Sequence, residues 1–196
     1  LQREWHHGQF MVEHFRKVLE TAAKYEVSLV VHEPIKDTGL RRTFPNMMSR
    51  EGAKGQEFNG FMSSKDNSKP NHATIIPFTR LLSSPMDYTP GIFNLVDYRY
   101  NSPEDLKINP NHRIPSTISK ELALYVVIYA PVQMAADLPI NYEGNPAFQF
   151  ILDVPTDWEE TKVLNGEIGE FITIARKDIN SDSWYIGSIT NEDGRS

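Results

Sequence analysis

The sequence contains no cysteine, which excludes disulfide frameworks, cysteine–zinc sites and thiol nucleophiles. It also lacks a long apolar run. The strongest, near Leu122–Ala130, falls far short of the roughly 20 residues that a membrane-spanning helix needs, so no membrane insertion is expected. Positive charge is in deficit: 20 Lys+Arg stand against 26 Asp+Glu, for a formal net charge of −6. A basic surface is what neutralises phosphates, so no nucleic-acid partner is expected either. Neither an internal repeat nor a low-complexity tract interrupts the chain, and no charged-then-apolar signal segment follows Leu1. What remains is folding material, 39% hydrophobic and 11% aromatic over 196 residues. That is too apolar for disorder and enough for one substantial domain, or one domain and part of another.

Residues 9–25 place Met11, Phe15, Val18, Ala22 and Tyr25 at steps of three or four, the spacing of an amphipathic helix. Val27-Ser28-Leu29-Val30-Val31 follows as a short buried strand of α/β type and ends in His32-Glu33-Pro34, where strand-end loops build active sites. The stretch 36–60 is rich in Gly, Arg, Asn and Glu and is predicted to hold a further short strand around Asn46–Arg50. A helix is expected near Ala73–Leu82 around Pro77, then a strand end and turn over Ser84–Gly91, an exposed polar loop over 98–115, and a helix from Ser119 to Ala130. Ser116, Thr117 and Ser119 are its candidate N-caps. Shorter elements are expected at Gln133–Asp137 and Pro146–Leu152. Beyond Pro155, where a domain boundary is placed, Glu167–Lys177 and Ser183–Thr190 alternate apolar and polar residues as antiparallel strands do. Three strands are stable only against something larger, so both ends of the chain read as cut.

The chemistry concentrates in one region. Glu33, Glu51 and Glu57 lie at spacings of eighteen and six in a Gly/Arg-rich setting. A carboxylate pair can divide glycoside hydrolysis between an acid that protonates the leaving oxygen and a base that deprotonates water. A third carboxylate suits a hard cation such as calcium, which takes oxygen ligands and sets neighbouring carboxylates apart in pKa. Solvated surface glutamates are the competing reading. Arg41 and Arg42 can pair with surface carboxylates or bind substrate.

The blocks His32-Glu33-Pro34-Ile35-Lys36-Asp37-Thr38-Gly39-Leu40-Arg41-Arg42-Thr43-Phe44-Pro45-Asn46, Arg50-Glu51-Gly52-Ala53-Lys54-Gly55-Gln56-Glu57, Thr79-Arg80-Leu81-Leu82, Pro85-Met86-Asp87-Tyr88-Thr89-Pro90-Gly91-Ile92-Phe93 and Gln133-Met134-Ala135-Ala136-Asp137 together resemble glycoside hydrolase family 97, a family of α-glucosidases and α-galactosidases. The likeness runs from His6-His7-Gly8-Gln9 to the β-rich tail. It implies an α/β fold: the later strands of a (β/α)8 TIM barrel over residues 1–155, then the start of an antiparallel β-sandwich over 156–196. The first barrel strands and an amino-terminal β-sandwich would lie upstream of Leu1.

The family's inverting members carry a glutamate at the strand end held here by Glu33, and its retaining members do not. The resemblance therefore implies an inverting, calcium-dependent α-glucosidase acting on oligosaccharides. Glu57 would be the general acid, Glu33 a base, His32 a sugar ligand, and Glu33, Glu51 and Glu57 metal ligands. A second base and a further calcium-binding glutamate would come from upstream. A periplasmic or secreted location is implied in the same way. A retaining α-galactosidase and a non-catalytic carbohydrate-binding fragment are the alternatives. Weaker candidates are His6 and His7 (metal or helix start), Trp5 (sugar stacking or packing) and Asp87 (substrate contact or loop-fixing bond). Met47 and Met48 read as core, and Asp137 as a turn cap.

Overall fold

The computed structural model describes residues 8–61, 69–96 and 113–194. Trp5, His6 and His7, and the 98–115 loop up to residue 112, lie outside them.

The opening periodicity folds as helix α1, Gln9–Lys24. Leu19 is its buried residue, while Val18 and Tyr25, assigned to the apolar stripe by spacing, are 41% and 69% exposed. The helix ends with Glu26 in the left-handed region (φ 56°) and the Val27 amide donating to Ala22 O at 2.9 Å, a common way to satisfy terminal carbonyls. Strand β1, Leu29–Val31, then pairs in parallel with β2, Met47–Arg50. Parallel neighbours need a crossover, and it includes the short helix α2, Leu40–Thr43. Met47 and Met48 are half-buried, and the buried residues of β2 are Ser49 and Arg50. Arg50 also forms a parallel bridge to Met86, whose amide donates to Tyr129 O at 3.0 Å. The strand ends at 31, 50 and 86 therefore lie side by side.

After α3, Phe58–Phe61, helix α4 spans Pro70–Ile75 and gives way to two 3₁₀ turns, Ile76–Phe78 and Arg80–Leu82. The single helix expected over 73–82 is thus replaced. Pro77 has no N–H to continue the ladder, and its ring crowds the carbonyl four residues back. Helix α5, Ile118–Val127, is N-capped by Thr117, whose hydroxyl accepts from the Lys120 amide at 3.1 Å. It stops three residues early because Ile128 turns extended and leads to the Tyr129 pairing. Gln133–Asp137 forms neither helix nor strand; helices α6, Pro139–Tyr142, and α7, Phe148–Asp153, follow.

The carboxyl-terminal part is an antiparallel sheet in the order β3-β4-β5: Trp158–Glu167, Phe171–Asp178 and Trp184–Thr190. β3 is the strand of the expected three that has no range in the sequence reading, and Glu167, expected to open the next strand, ends β3 instead. Ile172, Ile174 and Ile189 of this sheet share one core with Ala73, Ile76, Met86, Leu124, Val127 and Ile128. Gly187 makes the approach possible: a Cβ there would lie 2.7 Å from Ala123 O. Arg176 in β4 donates to Val126 O at 2.6 Å, at the carboxyl end of α5, where a cation is favoured by the helix dipole. Among the described residues, no helix is long and apolar enough to cross a membrane.

Candidate functional site

The end of β1 delivers His32 and Glu33, and the end of β2 delivers Glu51. Glu33 sits at φ 49°, a left-handed conformation unfavourable for a side chain with a Cβ; such strain persists where surrounding contacts impose it, often at functional sites. Its backbone N–H donates to Glu51 Oε2 at 3.1 Å. Glu57 follows on the loop that closes into α3.

His32 links these groups. Nε2 lies 2.7 Å from Oδ2 of Asp87, a residue only 4% exposed. The carboxylate can only accept, so Nε2 carries the proton. Nδ1 faces Glu57 Oε1 at 3.5 Å and Glu51 Oε2 at 3.9 Å. Partial burial works against the imidazolium, but the Asp87 hydrogen bond and the charges of Glu51, Asp87 and Glu57 outweigh it and hold the His32 pKa above its ordinary value. Burial pushes the Glu51 carboxyl up; the Glu33 amide and His32 oppose this, and the like charge of Glu57 adds to it.

Ligand atoms of His32, Glu51 and Glu57 all lie within 4.8 Å of one another, a grouping able to hold a cation. Glu33 joins it through its backbone amide, and its carboxylate is not one of the three groups. Asp87, read from sequence as either a substrate contact or a loop-fixing group, here holds His32. Arg41 lies 3.7 Å from Asp37 and donates to Ser83 O at 3.0 Å. Asp137 caps as expected: it accepts from the Phe93, Asn94 and Leu138 amides and from Asn141 Nδ2, which together outweigh burial and lower its pKa.

Two supporting groups escaped sequence reasoning. Arg80 donates to Arg50 O (2.7 Å), Glu51 O (2.8 Å), Ser84 O (2.9 Å) and Pro85 O (3.1 Å), clamping the strand ends beneath the carboxylates. Burial, with Arg50 nearby, lowers its pKa to about 10. Gly52, at φ 74°, makes room for it, since a Cβ there would stand 2.8 Å from Arg80 Nε. The other group is Glu121, fully buried on α5. Its signal was available: an acid on the same stripe as Leu124 and Ile128, at steps of three and four.

The family described as "Glycoside hydrolase 97" matches residues 2–53, and "Glycosyl-hydrolase 97 C-terminal, oligomerisation" matches residues 157–196. The retaining alpha-galactosidase of Bacteroides thetaiotaomicron is 38% identical over 184 residues, covering 91% of this chain and 26% of that protein. A family 97 enzyme from Pseudoalteromonas sp. strain K8, solved in complex with acarbose, superposes with a TM-score of 0.85 at 49% identity over 98% of this chain and 28% of that one. A form of it in complex with panose gives 0.84 at 48% identity, with the same coverage. The chain thus spans about a quarter of the length of the curated relatives it matches. Family matches at both ends of the chain, joined by a near-complete superposition at 49% identity, support glycoside hydrolase family 97 as the family of this chain.

Proposed function

We propose that this chain supplies strand-end carboxylates to an inverting α-glucosidase that hydrolyses oligosaccharides. In this reading residues 1–155 belong to a (β/α)8 barrel and residues 156–196 begin a β-sandwich. The observation that carries it is the convergence of His32, Glu51 and Glu57, with the Glu33 amide on Glu51, at adjacent ends of parallel strands. Glu57 donates a proton to the departing glycosidic oxygen, while Glu33 takes one from the attacking water on the opposite face. His32, held by Asp87, donates to a sugar hydroxyl.

The donor set fits calcium, since Glu51 and Glu57 offer oxygens of the hard type the ion prefers. Glu33, Glu51 and Glu57 would hold it; when bound, it orients the carboxylates and polarises oxygen ligands. Support for inversion comes from Glu33 at the strand end, through the family resemblance, and support for glucosidase from the complexes of the Pseudoalteromonas enzyme with panose (48% identity) and acarbose (49%). The second reading, a retaining α-galactosidase, is favoured by the name of the 38%-identical relative. A periplasmic or secreted location belongs to the same proposal and rests on the family resemblance.

NMR of the first-formed anomer, using the full-length enzyme on α-glucosides and α-galactosides, tests this. Inversion on the glucoside is expected; retention, or turnover of the galactoside alone, sinks it. Chelation should abolish turnover and readdition of calcium restore it.

A further inference from the structure

Helix α5 is apolar over most of its length, yet its first turn places a carboxylate where solvent does not reach: Glu121 is 0% exposed. An apolar side chain would pack that stripe without the desolvation penalty of a charge, so what Glu121 holds matters. Its Oε1 accepts from Gln56 Nε2 at 3.0 Å and from the Ser116 hydroxyl, and its Oε2 from the Gly91 and Ile92 amides at 3.0 and 3.3 Å. All four partners donate, and an ionised carboxylate is the group that only accepts.

Three segments meet on this one side chain, and one of them is the residue immediately before Glu57. Gln56 is 3% exposed. Its amide donates to Tyr88 O at 2.8 Å, its carbonyl accepts from the Asn59 amide at 3.0 Å, and its side chain reaches Glu121. Gly55 lets the loop lie this close, as a Cβ there would be 3.1 Å from Tyr88 O. The far side of the arrangement is also fixed: Gly91, at φ 100°, lies against the Tyr125 hydroxyl.

We infer that Glu121 is a positioning residue for the general acid: through Gln56 it fixes the backbone that carries the Glu57 carboxyl. The inference rests on the acid role proposed above. A positioning role makes a prediction that a structural role does not, because a displaced acid harms only reactions whose leaving group needs a proton.

The test uses the full-length enzyme with Glu121→Gln, Gln56→Met and Glu57→Gln, each assayed on an α-linked disaccharide and on a dinitrophenyl glycoside of the same sugar. The dinitrophenolate departs without protonation. Glu121→Gln and Gln56→Met should each lower kcat on the disaccharide by about tenfold, part of the 10²–10⁴ that general acids contribute, with KM little changed and a much smaller loss on the activated substrate. Equal losses on both substrates in these two variants overturn the inference, provided that Glu57→Gln discriminates between them. If Glu57→Gln does not discriminate, the acid assignment itself fails and the inference falls with it. Should Glu121→Gln not fold, Gln56→Met decides alone, since it leaves Glu121 its other three donors.

Discussion

His32 stands between two kinds of carboxylate. One, Asp87, is buried and hydrogen-bonded to Nε2; the others, Glu51 and Glu57, face Nδ1 at longer range. With acceptors on both sides of the ring, the doubly protonated form has a place for each proton, which is why the pKa rises despite burial. With no cation added, the native state therefore holds this proton more tightly than the unfolded chain does. The resulting stabilisation is fully present below the unfolded value of about 6.5 and is lost as pH rises through the higher native pKa. Replacing Asp87 by Asn should lower the His32 midpoint and flatten that part of the stability–pH curve. Carbon-detected titration of the imidazole checks this; an unmoved midpoint would contradict the role given to Asp87. Glu51 shifts in the same sense, so the measurement must follow the ring itself rather than global stability alone.

At the scale of elements, the strand ends depend on groups that belong to none of them. Arg80 lies in a 3₁₀ turn yet hydrogen-bonds carbonyls of residues 50, 51, 84 and 85. Arg80→Met should cost about 1–3 kcal/mol, because four part-buried carbonyls lose a shared donor. It should also weaken the calcium binding proposed above, since the backbone carrying Glu51 is released; chemical denaturation and calorimetric titration would show both. Calcium affinity equal to wild type would separate Arg80 from the carboxylate cluster. Such a clamp is hard to read in advance, as its acceptors are backbone atoms placed together by tertiary structure. Apolar spacing and runs, by contrast, located α1, β1 and α5 within a few residues, and β2 followed from the length of the stretch that holds it. β3 escaped because nearly every residue from Trp158 to Glu167 is exposed, so no alternation marks it. The meeting of Glu51 and Glu57 was legible from motif blocks; His32 as their companion, with Glu33 contributing its amide, needed coordinates.

For the molecule as a whole, the carboxyl-terminal sheet is seated on α5 at short range. A Cβ at residue 187 would approach Ala123 O at 2.7 Å and Val126 Cβ at 2.8 Å. Gly187→Ala should therefore destabilise the protein by about 1–3 kcal/mol through overpacking, measurable by thermal or urea unfolding. An unchanged midpoint would mean that the sheet has slack here. Lys120 strengthens the same seam, donating to Pro70 O at 3.0 Å and Thr190 O at 3.1 Å, with burial lowering its pKa to about 8.

The common core of Met86, Ile128, Ile172, Ile174 and Ile189 bears on how this chain can be recombined with its relatives. A chimera that imported only residues 157–196 from a relative would transplant one half of a mated surface and leave Ala123, Val126 and Val127 facing a stranger. Moving α5 together with the three strands would keep that contact, while Ala73, Ile76 and Met86, which share the core, would still have to be matched. Because Glu121 rides on that helix, exchanging it would also replace the carboxylate that Gln56, Ser116, Gly91 and Ile92 donate to.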